Sequence, residues 1–339
     1  MKLAVFGASG FTGGLVTGEA RRRGLSPVLV GRNGDRLRKA AVAAGVADAE
    51  VRVATLDDPA ALPAAFADCD AVVSAAGPFT LWGEPVLRAA LAAGCHYVDT
   101  AGEQGWIKHV LDTAGPAAER AGVSVVPAMA DDGGPGDLIA HLTAGRLTDV
   151  ADLLVADARP PGAASRGTAR SMVAAADAVP LEYADGAWRP AAAGERRIGV
   201  PGEAEEVVLT PFPLPGVVTV PRHVRARRVR AGIRAEVARL FTALTPDAVD
   251  SVPEVLDARA RSGSRWLMLV EATDGGGRRA RGWAGGADPY GLTAVIAVEA
   301  ACRLAAGGAP AGALAPAQAF DAASFLDALA PHGVTWRVA

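Results

Sequence analysis

The stretch Lys2–Gly13, KLAVFGASGFTG, constrains this chain more than any other. A short apolar run, Leu3–Phe6, opens directly into Gly7, Gly10 and Gly13, and a helical pattern follows. Strand, glycine turn, helix is an order in which each glycine has a task. Side chains there would block the tight turn, the approach of backbone to a ligand, and close packing of helix on sheet. The N–H groups that open the helix point at whatever lies over the turn, and they suit phosphate oxygens. The spacing is G-x-x-G-x-x-G, not the commoner G-x-G-x-x-G, so the strand before and the helix after it carry the reading. Gly7, Ser9, Gly10, Phe11, Thr12 and Gly13 are therefore read as a dinucleotide phosphate cradle, in which Ser9 and Thr12 add hydroxyl donors. A glycine-rich turn without a ligand is the alternative.

Strand and helix patterns then alternate. Phe11–Arg23 carries Leu15, Val16, Glu19 and Ala20 at helical spacing and ends in three arginines and a glycine. Pro27–Val30 reads as the second strand. A carboxylate at the end of that strand would bind a ribose 2′-hydroxyl, but the first charged residue is Arg32. An arginine can fork onto a 2′-phosphate, so NADPH is expected as cofactor; a solvated loop arginine is the alternative. Glu50–Leu56 alternates into a third strand. Asp57, just beyond it, is a candidate adenine contact or a helix cap. The apolar strand Ala71–Ala75 leads into Ala76, Gly77 and Pro78, small residues where the nicotinamide half of a dinucleotide has to pass. A helix over Glu84–Ala93, a fifth strand over His96–Asp99 and a sixth over Val123–Pro127 complete a Rossmann-type, doubly wound parallel sheet.

Beyond about residue 145 the alternation stops. Trp266–Thr273 and Arg278–Trp283 flank Asp274-Gly275-Gly276-Gly277, a hairpin signal, within a segment that reads as mainly antiparallel α+β. A long apolar helix over Tyr290–Ala306 is expected to return to the first domain. The domain boundaries read as 1–129 for the cofactor domain, 130–287 for a substrate and dimerisation domain, and 288–339 for a returning C-terminal segment.

Composition narrows the function. A net charge of −3 over 339 residues gives no reason to expect nucleic acid or an anionic membrane as partner. Cys69, Cys95 and Cys302 are scattered and odd in number, without metal-ligand spacing, so no metal site and a cytoplasmic, reducing location are expected. No apolar run is long enough to cross a bilayer, and the N-terminus reads as the first strand rather than a signal peptide.

GASGFTG (Gly7–Gly13), SAAGPF (Ser74–Phe79), YVDTAGE (Tyr97–Glu103), SRGTARS (Ser165–Ser171) and DPYGLTA (Asp288–Ala294) resemble the saccharopine dehydrogenase-like oxidoreductases, including trans-acting enoyl reductases. The resemblance implies a Rossmann domain binding NADP(H), a mixed second domain, and hydride transfer to a C=N or C=C bond of a small or carrier-linked substrate. The chain departs from that pattern at Asp131–Pro135, which lacks the Asp-Ser-Val-Pro wording of the family.

Hydride transfer asks the protein to position the cofactor, polarise the acceptor and supply a proton. Tyr97 and Asp99, two residues apart at the end of the fifth strand, are the catalytic candidates; a packed tyrosine and a helix cap are the alternatives. Asp132, Ser165, Arg166 and Thr168 are candidate substrate contacts, or caps. An NADP(H)-binding sensor without turnover is the competing function. The sequence has neither a nucleophile elbow nor a Tyr-x-x-x-Lys pair.

Overall fold

A computed structural model describes residues 1–339, which form two compact units. The first comprises Met1–Ala101, Lys108–Ala130 and Tyr290–Leu314, and the second Gly102–Ile107, Asp131–Pro289 and Ala315–Ala339. The expected boundaries are redrawn accordingly. The segment 288–339 is divided at residue 314, and Gly102–Ile107 leaves the first unit although a continuous stretch 1–129 was expected.

In the first unit the strands are β1 (Lys2–Phe6), β2 (Ser26–Gly31), β3 (Glu50–Val53), β4 (Ala71–Ser74), β5 (His96–Asp99) and β6 (Ser124–Val126). They lie in the order β3-β2-β1-β4-β5-β6, all parallel, and Gly312–Ala313 adds a seventh strand beside β6. The strand order reverses between β1 and β4, which opens a crevice at their carboxyl ends. Leu3, Val5, Val28, Leu29, Val72 and Val73 are wholly or almost wholly buried, as a sheet covered on both faces requires. The strand β3 stops at Val53, short of the expected Leu56. Its partner β2 ends at Gly31, opposite Val53, and offers one last carbonyl to the Ala54 N–H. The fourth helix begins at Phe79, five residues earlier than expected, and tolerates Pro85 within it.

The second unit holds β7 (Val150–Asp157), β8 (Leu181–Ala184), β9 (Ala187–Pro190), β10 (Arg196–Ile198), β11 (Val207–Pro211), β12 (Ala226–Arg234), β13 (Arg265–Thr273) and β14 (Arg279–Ala287). Its mixed sheet runs β10-β11-β12-β7-β13-β14 and ends on Thr335–Val338, with β8 and β9 attached beside β12. Only β7 and β12 pair in parallel. The β13–β14 hairpin closes as expected: Asp274 Oδ1 accepts from the N–H groups of Gly276 and Arg278, both at 2.9 Å. The helix Gly134–Ala144 lies so close to this sheet that a Cβ on Gly282 would stand 2.1 Å from the Thr143 hydroxyl. No helix is long and apolar enough to cross a membrane.

The helix Pro289–Ala305 buries Ile296, Ala297, Val298, Ala300 and Ala301 completely. An ion-pair network ties it to the first helix, Phe11–Arg22. Arg23 bonds Glu19 at 2.7 Å and also bonds Glu299, while Arg303 holds Glu299 at 2.7 Å. Burial pushes the Glu19 carboxyl up, but the hydrogen bonds from Arg23 and Arg22 outweigh it, and the group sits below its ordinary range. Arg23→Met should lower unfolding stability by about 1–3 kcal/mol, since it removes one of the two arginines that hold the buried Glu19 and one of the two that hold Glu299. Because the carboxyl is depressed in the folded chain, the network stabilises above about pH 4.5 and is lost as acid protonates it. Urea unfolding at pH 7 and pH 3.5 measures both, and the Met variant should differ from the parent far less at pH 3.5.

Candidate functional site: a nucleotide cradle and a carboxylate cluster

The turn after β1 is closed by backbone. The Gly7 N–H donates to Val30 O at 3.0 Å, and the Gly10 N–H to Gly7 O at 2.9 Å. Gly7 has φ +78°, and a Cβ there would stand 2.8 Å from the Ala76 Cβ in the loop after β4. A Cβ on Gly13 would stand 2.2 Å from Gly7 O. The two loops at the strand-order reversal thus approach closely where Gly7 meets Ala75 and Ala76. Gly10 caps the first helix without a side-chain acceptor, so the first-turn N–H groups of Phe11, Thr12 and Gly13 have no capping partner. Gly10 is exposed, and Ser9, Phe11 and Thr12 are half-buried around it. Uncapped N–H groups over a surface that carries no obstructing side chain fit a pyrophosphate.

The other predicted cofactor contacts fall around this cradle. Arg32 follows the last residue of β2, exposed and without an ion-pair partner. Ala76 and Gly77 are half-buried, while Pro78 is buried and caps the helix Phe79–Ala92. Asp57 is exposed and makes no cap. The capping carboxylate is Asp58, whose Oδ1 accepts from the Ala60 and Ala61 N–H groups at 3.0 and 3.1 Å.

Tyr97 and Asp99 lie together at the end of β5. Both have no exposed surface. The Tyr97 hydroxyl lies 3.1 Å from Asp99 Oδ2, and Asp99 Oδ1 accepts from the N–H groups of Ala101 at 3.1 Å and Ala128 at 2.9 Å. The carboxylate is spent on the loops that follow β5 and β6. Burial, with the Asp99 charge beside it, also holds the Tyr97 phenol well above its ordinary range.

In the second unit Asp132 stands close to backbone, its Oδ2 placed 2.9 Å from where a Cβ on Gly102 would be. Burial and the neighbouring Asp131 charge push its carboxyl up to about 7, against the pull of Arg159. Arg159 is held by Asp131 at 2.8 Å and by Asp157 at 2.7 Å. Ser165 is a buried cap for the helix Arg166–Ala174, accepting from the Thr168 N–H at 3.3 Å. Arg166 donates to Val252 O and Asp250 O at 2.9 and 3.1 Å, anchoring that helix. One turn on, the Ser171 hydroxyl donates to Glu103 at 3.1 Å. Gly102 and Glu103 thus link Asp132 to the Ser165–Ser171 segment within one unit. In the basic stretch Arg222–Arg230, two of the five arginines have acid partners within the unit: Arg228 bonds Glu182, and Arg230 bonds Asp152.

One constellation escaped sequence reasoning. Asp137, wholly buried, meets His223 Nε2 at 2.9 Å, and His223 Nδ1 lies 3.2 Å from Nδ1 of the exposed His141. Burial raises the Asp137 carboxyl, but the His223 charge and hydrogen bond outweigh it. Asp137 and His223 stand 86 residues apart in sequence, so no local spacing announces the pair.

Comparison with known proteins bears on the cradle. The model of the saccharopine dehydrogenase NADP-binding domain matches residues 3–126. This chain carries an NADP-binding domain. Its cofactor is therefore NADPH, and the resemblance read from GASGFTG, SAAGPF and YVDTAGE is borne out. The chain is 34% identical over 146 residues to a Caenorhabditis elegans lipid droplet localized protein, covering 40% of this chain and 34% of that one. It is 31% identical over 180 residues to the human saccharopine dehydrogenase-like oxidoreductase, covering 47% and 42%. It is 30% identical over 140 residues to a Mycobacterium tuberculosis trans-acting enoyl reductase, covering 40% and 34%. The matched stretches thus span less than half the length of these relatives. The whole fold is similar to that of Saccharomyces cerevisiae saccharopine dehydrogenase (L-Glu forming), with TM-score 0.67 and 15% identity over 100% of this chain and 99% of that one.

The NADP-binding turn generates a paired test. Gly13→Ala should cost about 3 kcal/mol by forcing a methyl into Gly7 O. Gly14→Ala, whose Cβ would meet nothing nearer than 4.0 Å, should be neutral or stabilise by up to about 1 kcal/mol. Equal melting temperatures for the two variants would contradict the geometry.

Proposed function

We propose that this chain is an NADPH-dependent reductase that delivers hydride to a C=N or C=C bond of a small or carrier-linked substrate. The observation that carries the proposal is Asp132, a half-buried carboxyl set against the Gly102 backbone and next to a second carboxylate, Asp131, so that its proton is held more tightly than usual. The first unit holds the cofactor in the Gly7–Gly13 cradle, with Arg32 on the 2′-phosphate and Ala76–Pro78 alongside the nicotinamide half. NADPH supplies the hydride. The residues of the chain have to bind the acceptor and give a proton to the nitrogen or carbon left electron-rich by the transfer. A carboxyl that is still protonated near pH 7 can do so, whereas an ionised one has no proton to give. Asp131 acts on Asp132 as a like charge and Arg159 as an opposing one, and its position beside Gly102 sets one carboxyl oxygen against backbone. The half-buried Arg166 and Thr168 of the Ser165–Thr168 turn add polar groups in the same unit. The trans-acting enoyl reductase among the relatives supports an acceptor with a C=C bond, and the shared saccharopine dehydrogenase fold is compatible with C=N.

Two measurements test this reading. Asp132→Asn should lower kcat by about 10²-fold, with NADPH affinity unchanged, in assays of NADPH oxidation across imines and activated enones. In the parent, kcat should decline as pH rises through about 7. The same shift acts on stability: a carboxyl raised in the folded chain stabilises it fully below about pH 4, and that contribution is lost as pH rises through about 7. The Asn variant should lose this slope, and an unchanged kcat in that variant would remove Asp132 from the chemistry. For the cofactor, NADPH should bind about 10- to 100-fold more tightly than NADH, and Arg32→Glu should erase the preference. Calorimetry giving equal affinities in the parent would refute the role of Arg32.

A further inference from the structure

The helix Pro289–Ala305 carries a residue that belongs to the cofactor site although it lies far outside residues 3–126. Two contacts fix the direction of this helix against the first helix, Phe11–Arg22. At one end the rings of Phe11 and Tyr290 lie 5.2 Å apart at 54°. At the other, Arg23 bonds Glu299. Phe11 to Arg23 is about 18 Å of helix rise and Tyr290 to Glu299 about 14 Å, so the two helices run side by side and parallel. Both N-termini therefore lie at the glycine turn, and both positive dipole ends face the same edge.

Phe11 is the first residue of its helix, its own N–H the first of the uncapped groups of the cradle, and it is half-buried. Tyr290 is half-buried beside it. A pair of aromatic rings at the mouth of a phosphate site, left partly open in a unit whose sheet is otherwise covered, is a wall against which a ligand lies. We propose that Tyr290 is a cofactor-positioning residue, its ring backing Phe11 so that the first-turn N–H groups are held at the pyrophosphate. The inference rests on the NADP-binding assignment of residues 3–126 and adds a position that the match does not cover. The pyrophosphate and nicotinamide half of NADPH meets this wall; an adenosine 2′-phosphate, bound at the β2 end, does not.

The fragment distinguishes a local effect from a loosened domain. Binding of NADPH and of 2′-AMP is measured by calorimetry for the full chain and for its Tyr290→Ala and Tyr290→Phe variants. Tyr290→Ala should weaken NADPH about 5- to 10-fold while 2′-AMP binding stays within twofold, and Tyr290→Phe should bind NADPH like the parent. The inference is overturned if Tyr290→Ala binds NADPH like the parent, if it weakens both ligands equally, or if the Phe variant is as weak as the Ala variant. A parent chain that binds 2′-AMP and NADPH normally in those cases leaves the NADP-binding assignment standing. A parent that binds neither brings down both.

Discussion

The first unit depends on a close approach that no side chain could survive. At the end of β1 the chain must turn within a few residues and start a helix whose backbone almost touches the turn it has left. Only the missing Cβ of Gly13 allows this, and only the missing Cβ of Gly7 lets the loop after β4 lie alongside. Everything that makes the crevice useful follows from that contact. The helix begins close enough for its N–H groups to face the ligand, and the two loops at the reversal of strand order become neighbours. The rest of the sheet, buried on both faces, serves to hold these two strand ends in register.

The carboxylates show how their partners sort enclosed residues of one type into different work. Asp99 is enclosed and accepts from two backbone N–H groups and a phenol, and through them it organises two loops. Asp137 is enclosed too, and an imidazole keeps it ionised. Asp132 has fewer donors and a like charge for a neighbour, and its proton is correspondingly harder to remove. The difference lies in the partners, which come from distant parts of the sequence.

That is also why some of the molecule was legible in advance and some was not. Gly7, Gly10 and Gly13 were readable because their constraint is local, a turn whose geometry excludes side chains, and strand and helix periods carried the sheet order with them. The period of two correctly put Tyr97 and Asp99 on one face of β5, but periodicity reports a face and not a depth. Nothing near them in sequence announces that the Ala128 N–H will claim the carboxylate. Asp57 and Asp58 were indistinguishable by type and position, and only the helix start at Ala61 decides between them. The excursion of Gly102–Ile107 into the second unit was hidden because YVDTAGE reads as a continuous motif. Gln104 nevertheless bonds Leu214 O and the Leu181 N–H, partners with no local trace. His223 lies among arginines, and nothing beside it in sequence announces the buried acid it meets.

The seventh strand of the first sheet has a consequence for how the molecule is made. Gly312–Ala313 adds to the edge at β6, where the Gly312 N–H takes Val123 O and the Leu314 N–H takes Val125 O. During synthesis the strands β1 to β6 emerge early, yet β6 remains an open edge until the entire second sheet except its last strand has left the ribosome. Such an edge is a template for pairing with another nascent chain. Its protection depends on a closure between ends of the unit far apart in sequence, the type of contact that forms slowly. A stall or truncation anywhere between the sixth strand and the seventh would leave the nucleotide domain with a bare flank, so its solubility is governed by residues that never approach the nucleotide.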